Sequence, residues 1–270
     1  MRSLAVVTLI ALTAMVLPAA TGAHQSDDRS RCFAREGVSP EQKLSSCTAV
    51  IESGRQTRQV LITALTNRGN VHLGNRNYDR AIDDYNKAIR FDTKYAIGFN
   101  NRGIAYLRKG RIDRAIEDFD EAIGLNPKYA MAFVNRAIAY EEKAQWDFDA
   151  YLTEGMYEDR AMHDLDKAIR LDRNNAIAFR NRGFVNTRMQ RYDRAIQDFD
   201  EAIRLDPRIG SHFSGRAYAL RFVGQYERAI ADYRRALTLQ LDESNRKRVE
   251  KALKQLGVER DTTPTAVTKR

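Results

Sequence analysis

The feature that most constrains this 270-residue chain is a period. Asn67-Arg68-Gly69 returns as Asn101-Arg102-Gly103, Asn135-Arg136-Ala137, Asn181-Arg182-Gly183 and Gly215-Arg216-Ala217. Asp79-Arg80-Ala81-Ile82 likewise returns in four later copies, the last being Glu227-Arg228-Ala229-Ile230. Neighbouring copies lie 34 residues apart, stretching to 46 across the third. Five units follow, at 62–95, 96–129, 130–175, 176–209 and 210–243. A fixed period of this length marks stacked supersecondary units, each unable to bury its apolar faces alone.

Slots are counted here from the first residue of each unit, with 12 added after the insertion in the third. Each unit reads as two amphipathic helices. In the second, Phe99, Gly103 and Tyr106 mark one face of the first helix, and Ala115, Ile116, Phe119, Ala122 and Ile123 mark the second. Gly110 and Pro127 supply stop signals. Slot eight is always Gly or Ala, and slot twenty-four is Tyr85, Phe119, Leu165, Phe199 and Tyr233. Small residues opposite large ones allow interdigitated packing. Slot seven is always arginine (Arg68, Arg102, Arg136, Arg182, Arg216) and slot twenty-three always aspartate (Asp84, Asp118, Asp164, Asp198, Asp232). Desolvating an unpaired arginine costs several kcal/mol, so these columns are expected to form a ladder of ion pairs, within or between units.

The flanks carry different signals. Met1 to Ala23 places Arg2 before an uncharged run from Leu4 to Leu17 and then small residues, the pattern of a secretory leader. The run is too short for a transmembrane anchor, so no membrane span is expected after cleavage, and the chain is expected to be periplasmic or secreted. In an oxidising compartment Cys32 and Cys47 are expected to form a disulfide. Leu44, Cys47, Val50 and Ile51 share a helical face within 24–61, a segment read as an N-terminal cap and partial repeat. Residues 244–257 read as a capping helix, with Val249, Leu253 and Leu256 on one side and Arg246, Lys247, Lys251 and Lys254 on the other. Residues 258–270 lack pattern and are expected to fray.

The 34-residue pattern resembles the tetratricopeptide repeat family over residues 62–243, although arginine stands at slot seven where the family commonly has leucine. The resemblance implies an all-α, right-handed superhelical solenoid whose first helices line a concave groove for a peptide or protein segment. Its groove-facing slots are the second, fifth, ninth, twelfth and thirteenth. Carried onto this chain, they include Asn70 in the first unit and Ile97, Asn100, Ile104 and Arg108 in the second. The third unit adds Met131, Val134 and Ile138; the fourth Ile177, Arg180, Phe184 and Arg188; the fifth Tyr218 and Arg221. The expected wall is apolar at its centre and basic toward the later units. The family subset that clamps C-terminal carboxylates is a poor match, because Thr66, Met131 and Asn135 occupy slots that need basic residues.

The insertion in the third unit brings Trp146, Phe148, Tyr151 and Tyr157 among acids. It reads equally as a second recognition surface or as two lengthened helices whose aromatics pack together. His24, His72, His163 and His212 are scattered, and no phosphate-cradling glycine loop is present, so no metal, cofactor or enzyme activity is expected. The formal charge of +9 raises nucleic acid as a partner, yet ten of the 45 basic residues occupy two repeating slots instead of a phosphate-tracking stripe. The reading is an exported protein-interaction scaffold. A self-assembling envelope component is the alternative, with nucleic-acid binding behind it.

Overall fold

The structure is a computed structural model that describes residues 20–146 and 155–258. Thirteen α-helices account for the regular structure of these residues. An N-terminal hairpin, α1 (Ala20–Phe33) and α2 (Pro40–Glu52), precedes five helix pairs. These are α3 (Arg58–Gly74) with α4 (Tyr78–Phe91), α5 (Ala96–Arg108) with α6 (Ile112–Leu125), and α7 (Ala130–Trp146) with α8 (Met156–Leu171). Then come α9 (Ala176–Arg188) with α10 (Tyr192–Leu205), α11 (Gly210–Phe222) with α12 (Tyr226–Leu237), and a last helix α13 (Glu243–Gln255). Each helix packs on its neighbours in sequence. The chain is therefore an all-α solenoid of helix-turn-helix repeats.

The turn inside a unit demands left-handed backbone at slot fifteen. Gly110 (φ 76°) and Gly224 (φ 75°) supply it without strain, while Arg76 and Gln190 adopt φ 59° at the same slot. For a residue with a Cβ that conformation costs about 1 kcal/mol, so packing on both sides of the turn overrides the local preference. In the third unit α7 runs on through this slot to Trp146, and its hairpin with α8 is correspondingly longer.

Inside each pair the slot-eight residue lies under the slot-twenty-four ring. A Cβ built on Gly103 would fall 2.7 Å from the Phe119 ring, and one on Gly69 2.6 Å from Tyr85. Tyr85, Phe119 and Phe199 are fully buried. Phe199 is gripped from both sides, since a Cβ on Gly215 of the next unit would also fall 2.5 Å from it.

The arginine column does more than pair within its unit. Each slot-seven guanidinium donates two hydrogen bonds through Nε and Nη2 to the slot-twenty-three aspartate, at 2.6–3.0 Å. Its Nη1 then reaches back to slot twenty-five of the preceding unit: Arg102 to Asn86 and Arg136 to Asp120, both at 2.6 Å, Arg182 to Asp166 at 2.7 Å and Arg216 to Asp200 at 2.5 Å. The same four guanidinium groups lie over the slot-four rings of Phe99, Phe133, Phe179 and Phe213, 5.3–5.7 Å from the centroids. One side chain thus joins two helices and two repeats.

The first arginine carries this scheme into the hairpin. Arg68 Nη1 donates to Thr48 Oγ1 at 3.2 Å, and Asn67 Nδ2 to the Cys32 carbonyl at 3.0 Å. Cys32 and Cys47 are disulfide-bonded and fully buried. Pro40 and a reciprocal Ser39–Gln42 capping box start α2. α1 begins at Ala20, ahead of the end of the expected leader; the rest of that leader lies outside the described residues. At the other end Val258 packs against the cluster of Val249, Ala252 and Leu253, so it belongs to the cap and not to the tail, whose remaining residues lie outside the description.

Arg102 should outweigh an exposed arginine in stability. Arg102→Ala strands Asp118, which is 5% exposed, and is expected to cost about 2–4 kcal/mol. Arg114→Ala removes only a surface pair with Glu117 and should cost less than about 1 kcal/mol. Thermal melts of the two variants decide it, and equal effects would remove the ladder as the source of cohesion.

Candidate functional site

The inner wall is built from one face of α3, α5, α7, α9 and α11. Of the residues expected on it, Ile97, Ile177, Phe184 and Tyr218 are exposed by 38–46%, as are Asn70, Arg108 and Arg188 to varying degrees, while Ile104, Met131, Ile138, Arg180 and Arg221 are half-buried. Two expectations are corrected. Val134 is fully buried and Asn100 is 3% exposed, because neighbouring first helices close over slot five in the second and third units. These two side chains belong to the interior between repeats.

The early half of the wall satisfies itself. Asn135 Nδ2 donates to Asn100 Oδ1 at 2.9 Å, Asn100 Nδ2 to Asn101 Oδ1 at 3.1 Å, and Asn101 Nδ2 to Asn70 Oδ1 at 3.2 Å. Asn70 Oδ1 also accepts from the Tyr85 hydroxyl at 2.8 Å. Ile104 and Ile138 pack against the core around Phe119 and Ala139.

The middle is charged. Arg188 Nη1 donates to the Glu141 carbonyl at 3.2 Å and lies 3.5 Å from Glu158. Burial pushes the Glu141 carboxyl up to about 7; Glu158 and Glu142 add to the shift, and Arg188 and Arg180 oppose it.

The late half is open. A cavity of about 820 Å³ lies between α9, α11 and α13, lined by Arg180, Phe184, Thr187, Ser211, Ser214, Gly215, Tyr218 and Arg221, and by Asn245, Arg248, Lys251, Ala252 and Gln255 from the last helix. It gathers four residues marked from the sequence: Arg180, Phe184, Tyr218 and Arg221. Arg248, Lys251 and Gln255 escape the sequence reading, which puts Lys251 on an outward face. A signal for them exists, since counting a sixth unit from Ser244 puts Asn245, Arg248, Ala252 and Gln255 at slots two, five, nine and twelve.

The small side chains of Ser211, Ser214 and Gly215 leave room, and aromatic rings flank it. Phe184 meets Phe199 edge-on at 5.1 Å; Tyr218 leans on Phe222 at 5.1 Å, and Phe222 stacks on Tyr192 at 4.6 Å. Four cations, Arg180, Arg221, Arg248 and Lys251, face one acid, Asp242. That acid caps α13, accepting from the Asn245 amide at 2.8 Å, which holds its carboxyl below the usual range. Arg221 reaches Gln255 Oε1 at 3.5 Å, tying the last helix to the wall.

Other chemistry is sparse. Among the described residues no three His, Cys, Asp or Glu side chains group to hold a metal, and no helix is long and apolar enough to cross a membrane. His212 is buried, with Nδ1 3.1 Å from the Asp206 carbonyl. At the third-unit insertion Tyr157 is buried and stacks on Tyr140 at 6.4 Å, the packed arrangement for that ring. Phe148 and Tyr151 lie outside the described residues, as does the side chain of Trp146.

Fold and wall together define a solenoid of stacked helix pairs. The chain carries tetratricopeptide repeats: profiles described as tetratricopeptide repeat match residues 96–129, 176–209 and 215–243, and one described as TPR repeat matches 69–110. No curated protein matches. Among solved structures the chain is similar to a thermophilic TPR protein of Thermus thermophilus, at 21% identity over 71% of this chain and 98% of that one, with a TM-score of 0.63. It is also similar to a tetratricopeptide repeat protein of Parabacteroides merdae, at 20% identity over 87% and 88%, TM-score 0.62. PilF of Pseudomonas aeruginosa gives 18% over 75% and 86%, TM-score 0.63. At these identities the likeness is one of fold. Proteins of this class generally mediate protein–protein interaction, and the fold is typically a non-catalytic scaffold.

Glu141 makes stability depend on pH. Its ordinary value is 4.5 and its folded value about 7, so between these the folded state holds the extra proton and stability falls as pH rises. Glu141→Gln should therefore stabilise the protein at pH 8 relative to pH 5, by about 1–2 kcal/mol after allowing for partial exposure. Melting curves at the two pH values read the difference, and a constant offset would contradict the assignment.

Proposed function

We propose that this protein is an exported interaction scaffold that grips a segment of another protein on its concave wall, in the periplasm or outside the cell. The observation that carries the reading is the late-half cavity. Exposed rings of Phe184 and Tyr218 stand beside the cations Arg180, Arg221, Arg248 and Lys251 on small-residue flooring. An exposed apolar surface within a concave, cation-lined cleft is the form a peptide site takes. The self-satisfied asparagine chain in the early half favours the late half as the point of grip.

Export is supported by the leader-like pattern of residues 1–23 and by both cysteines being joined in one disulfide. Mass spectrometry of protein recovered from the envelope or medium should then show a new N-terminus near His24; an intact Met1 would end the export reading.

The grip is tested with a displayed random dodecapeptide library panned against the purified protein. Enriched peptides should bind the wild-type chain and lose about tenfold or more in affinity for Phe184→Asp, Tyr218→Asp, because hot-spot rings carry most of such an interface. Peptides that bind this variant as tightly as wild type, or a library that yields none, would overturn the groove as the binding site.

A further inference from the structure

Arg180 stands apart from the five slot-seven arginines of this molecule. Each slot-seven guanidinium is closed by a bidentate aspartate. Arg180 sits at slot five of α9, on the wall of the cavity. Its Nε is buried with no hydrogen-bond partner among the described residues, and its Nη2 makes a long 3.4 Å donation to Asn181 Oδ1. Asn181 is itself only 5% exposed, and its own Nδ2 also lacks a partner. Burial pushes the guanidinium below its ordinary range, with only the attraction of Glu141 opposing. Glu141 is the nearest carboxylate influence from α7, yet it is itself held toward the neutral form. Glu158 of α8 is engaged with Arg188, and α11 brings Ser211, Ser214, Gly215, Tyr218 and Arg221 to the cavity, with the buried His212 ring close enough to feel the Arg180 charge and no acid among them.

A desolvated cation with no acid hydrogen-bonded to it costs the folded state several kcal/mol, and breaking even over that cost requires an anion in good geometry. The chain closes its five slot-seven arginines with acids of its own, and the half-buried Arg246 reaches the Leu237 carbonyl. The cavity around Arg180 instead adds three more cations, Arg221, Arg248 and Lys251, and flanks them with Phe184 and Tyr218.

We infer that Arg180 is the anion receptor of the groove, and that the segment it takes carries acidic side chains next to an aromatic or large aliphatic anchor. This inference rests on the groove reading above. A carboxylate of the bound segment completes the hydrogen bonding of Arg180, while the anchor residue packs between Phe184 and Tyr218. Arg221, Arg248 and Lys251 at the rim meet further acids and speed encounter.

The inference separates the role of Arg180 in binding from its role in the fold. Arg180→Met removes an unpaired buried charge and keeps the volume, so the free protein should melt at the same temperature or higher. The same variant should bind the enriched peptides about tenfold or more weakly, the loss of one charge-assisted contact. The library is displayed through its C-terminus, so only side-chain carboxylates supply the anion. Peptides enriched on wild type should carry Asp or Glu beside Phe, Tyr, Trp or Leu, and their Asn/Gln versions should bind as weakly to wild type as the acidic ones do to Arg180→Met. Panning against Arg221→Glu, Arg248→Glu should cease to enrich acids.

Enriched peptides without acids, or acidic peptides indifferent to Arg180→Met, would overturn the inference while leaving the groove reading intact. A fall of several degrees in the melting temperature of Arg180→Met would overturn it as well, by showing that Arg180 is structural. Loss of all enrichment on wild type would fail the groove reading itself.

Discussion

Five arginines hold this stack together. A solenoid has no closed core, so its cohesion depends on what crosses from one helix pair to the next. The slot-seven guanidinium is suited to that place because its planar fork satisfies two directions at once. Nε and Nη2 lie along the aspartate of its own unit, and Nη1 points back to the preceding one. The aromatic ring one turn earlier on the same helix covers its face. Lysine would supply the charge but neither the second direction nor the stacking. The aspartate, buried to the extent of 1–8% exposure along the column, would be a liability without the fork. Pairing and packing therefore stand or fall together in each unit.

Much of this was legible in the sequence, because it repeats. The period, the helix pairs, the small-over-ring packing and the Arg–Asp columns all show as slots occupied alike in five copies. What repetition does not state is depth and direction. Nothing in the spacing says that Nη1 turns to slot twenty-five of the unit before, or that slot five is sealed at Asn100 and Val134 but open at Arg180. Those outcomes depend on how closely consecutive first helices approach, which is set by side chains from both. The two ends were harder still, since they lack the repeat phrases. Thr48 of α2 takes the place that Asn86, Asp120, Asp166 and Asp200 hold elsewhere, as acceptor for the next unit's arginine. Counting back one residue puts Cys47 where the buried ring should be. Its disulfide to Cys32 fills that place, at the centre of a small apolar cluster with Val50, Val60 and Ala64. Likewise α13 keeps the wall-facing slots after losing the rest of the pattern.

The same division separates framework from recognition. Slots seven, eight, twenty-three and twenty-four are fixed by contacts that close within the molecule, and a residue so engaged has little left to offer a partner. Slots five and nine are under no such demand. From the first unit to the last helix, slot five runs Thr66, Asn100, Val134, Arg180, Ser214 and Arg248, and slot nine runs Asn70, Ile104, Ile138, Phe184, Tyr218 and Ala252. Both begin polar or aliphatic and turn toward cations and rings. In the early units these side chains are consumed by one another, through the asparagine chain and the packing of Ile104 and Ile138. From α9 onward they face an open cavity. The periodic part of the chain gives a rigid curved wall, and the departure from periodicity along two slots gives that wall a direction, with its unpaired charge and exposed rings gathered at one end. On the function we propose, a ligand is held in register by the late units, and the early units serve to fix the geometry on which that register depends.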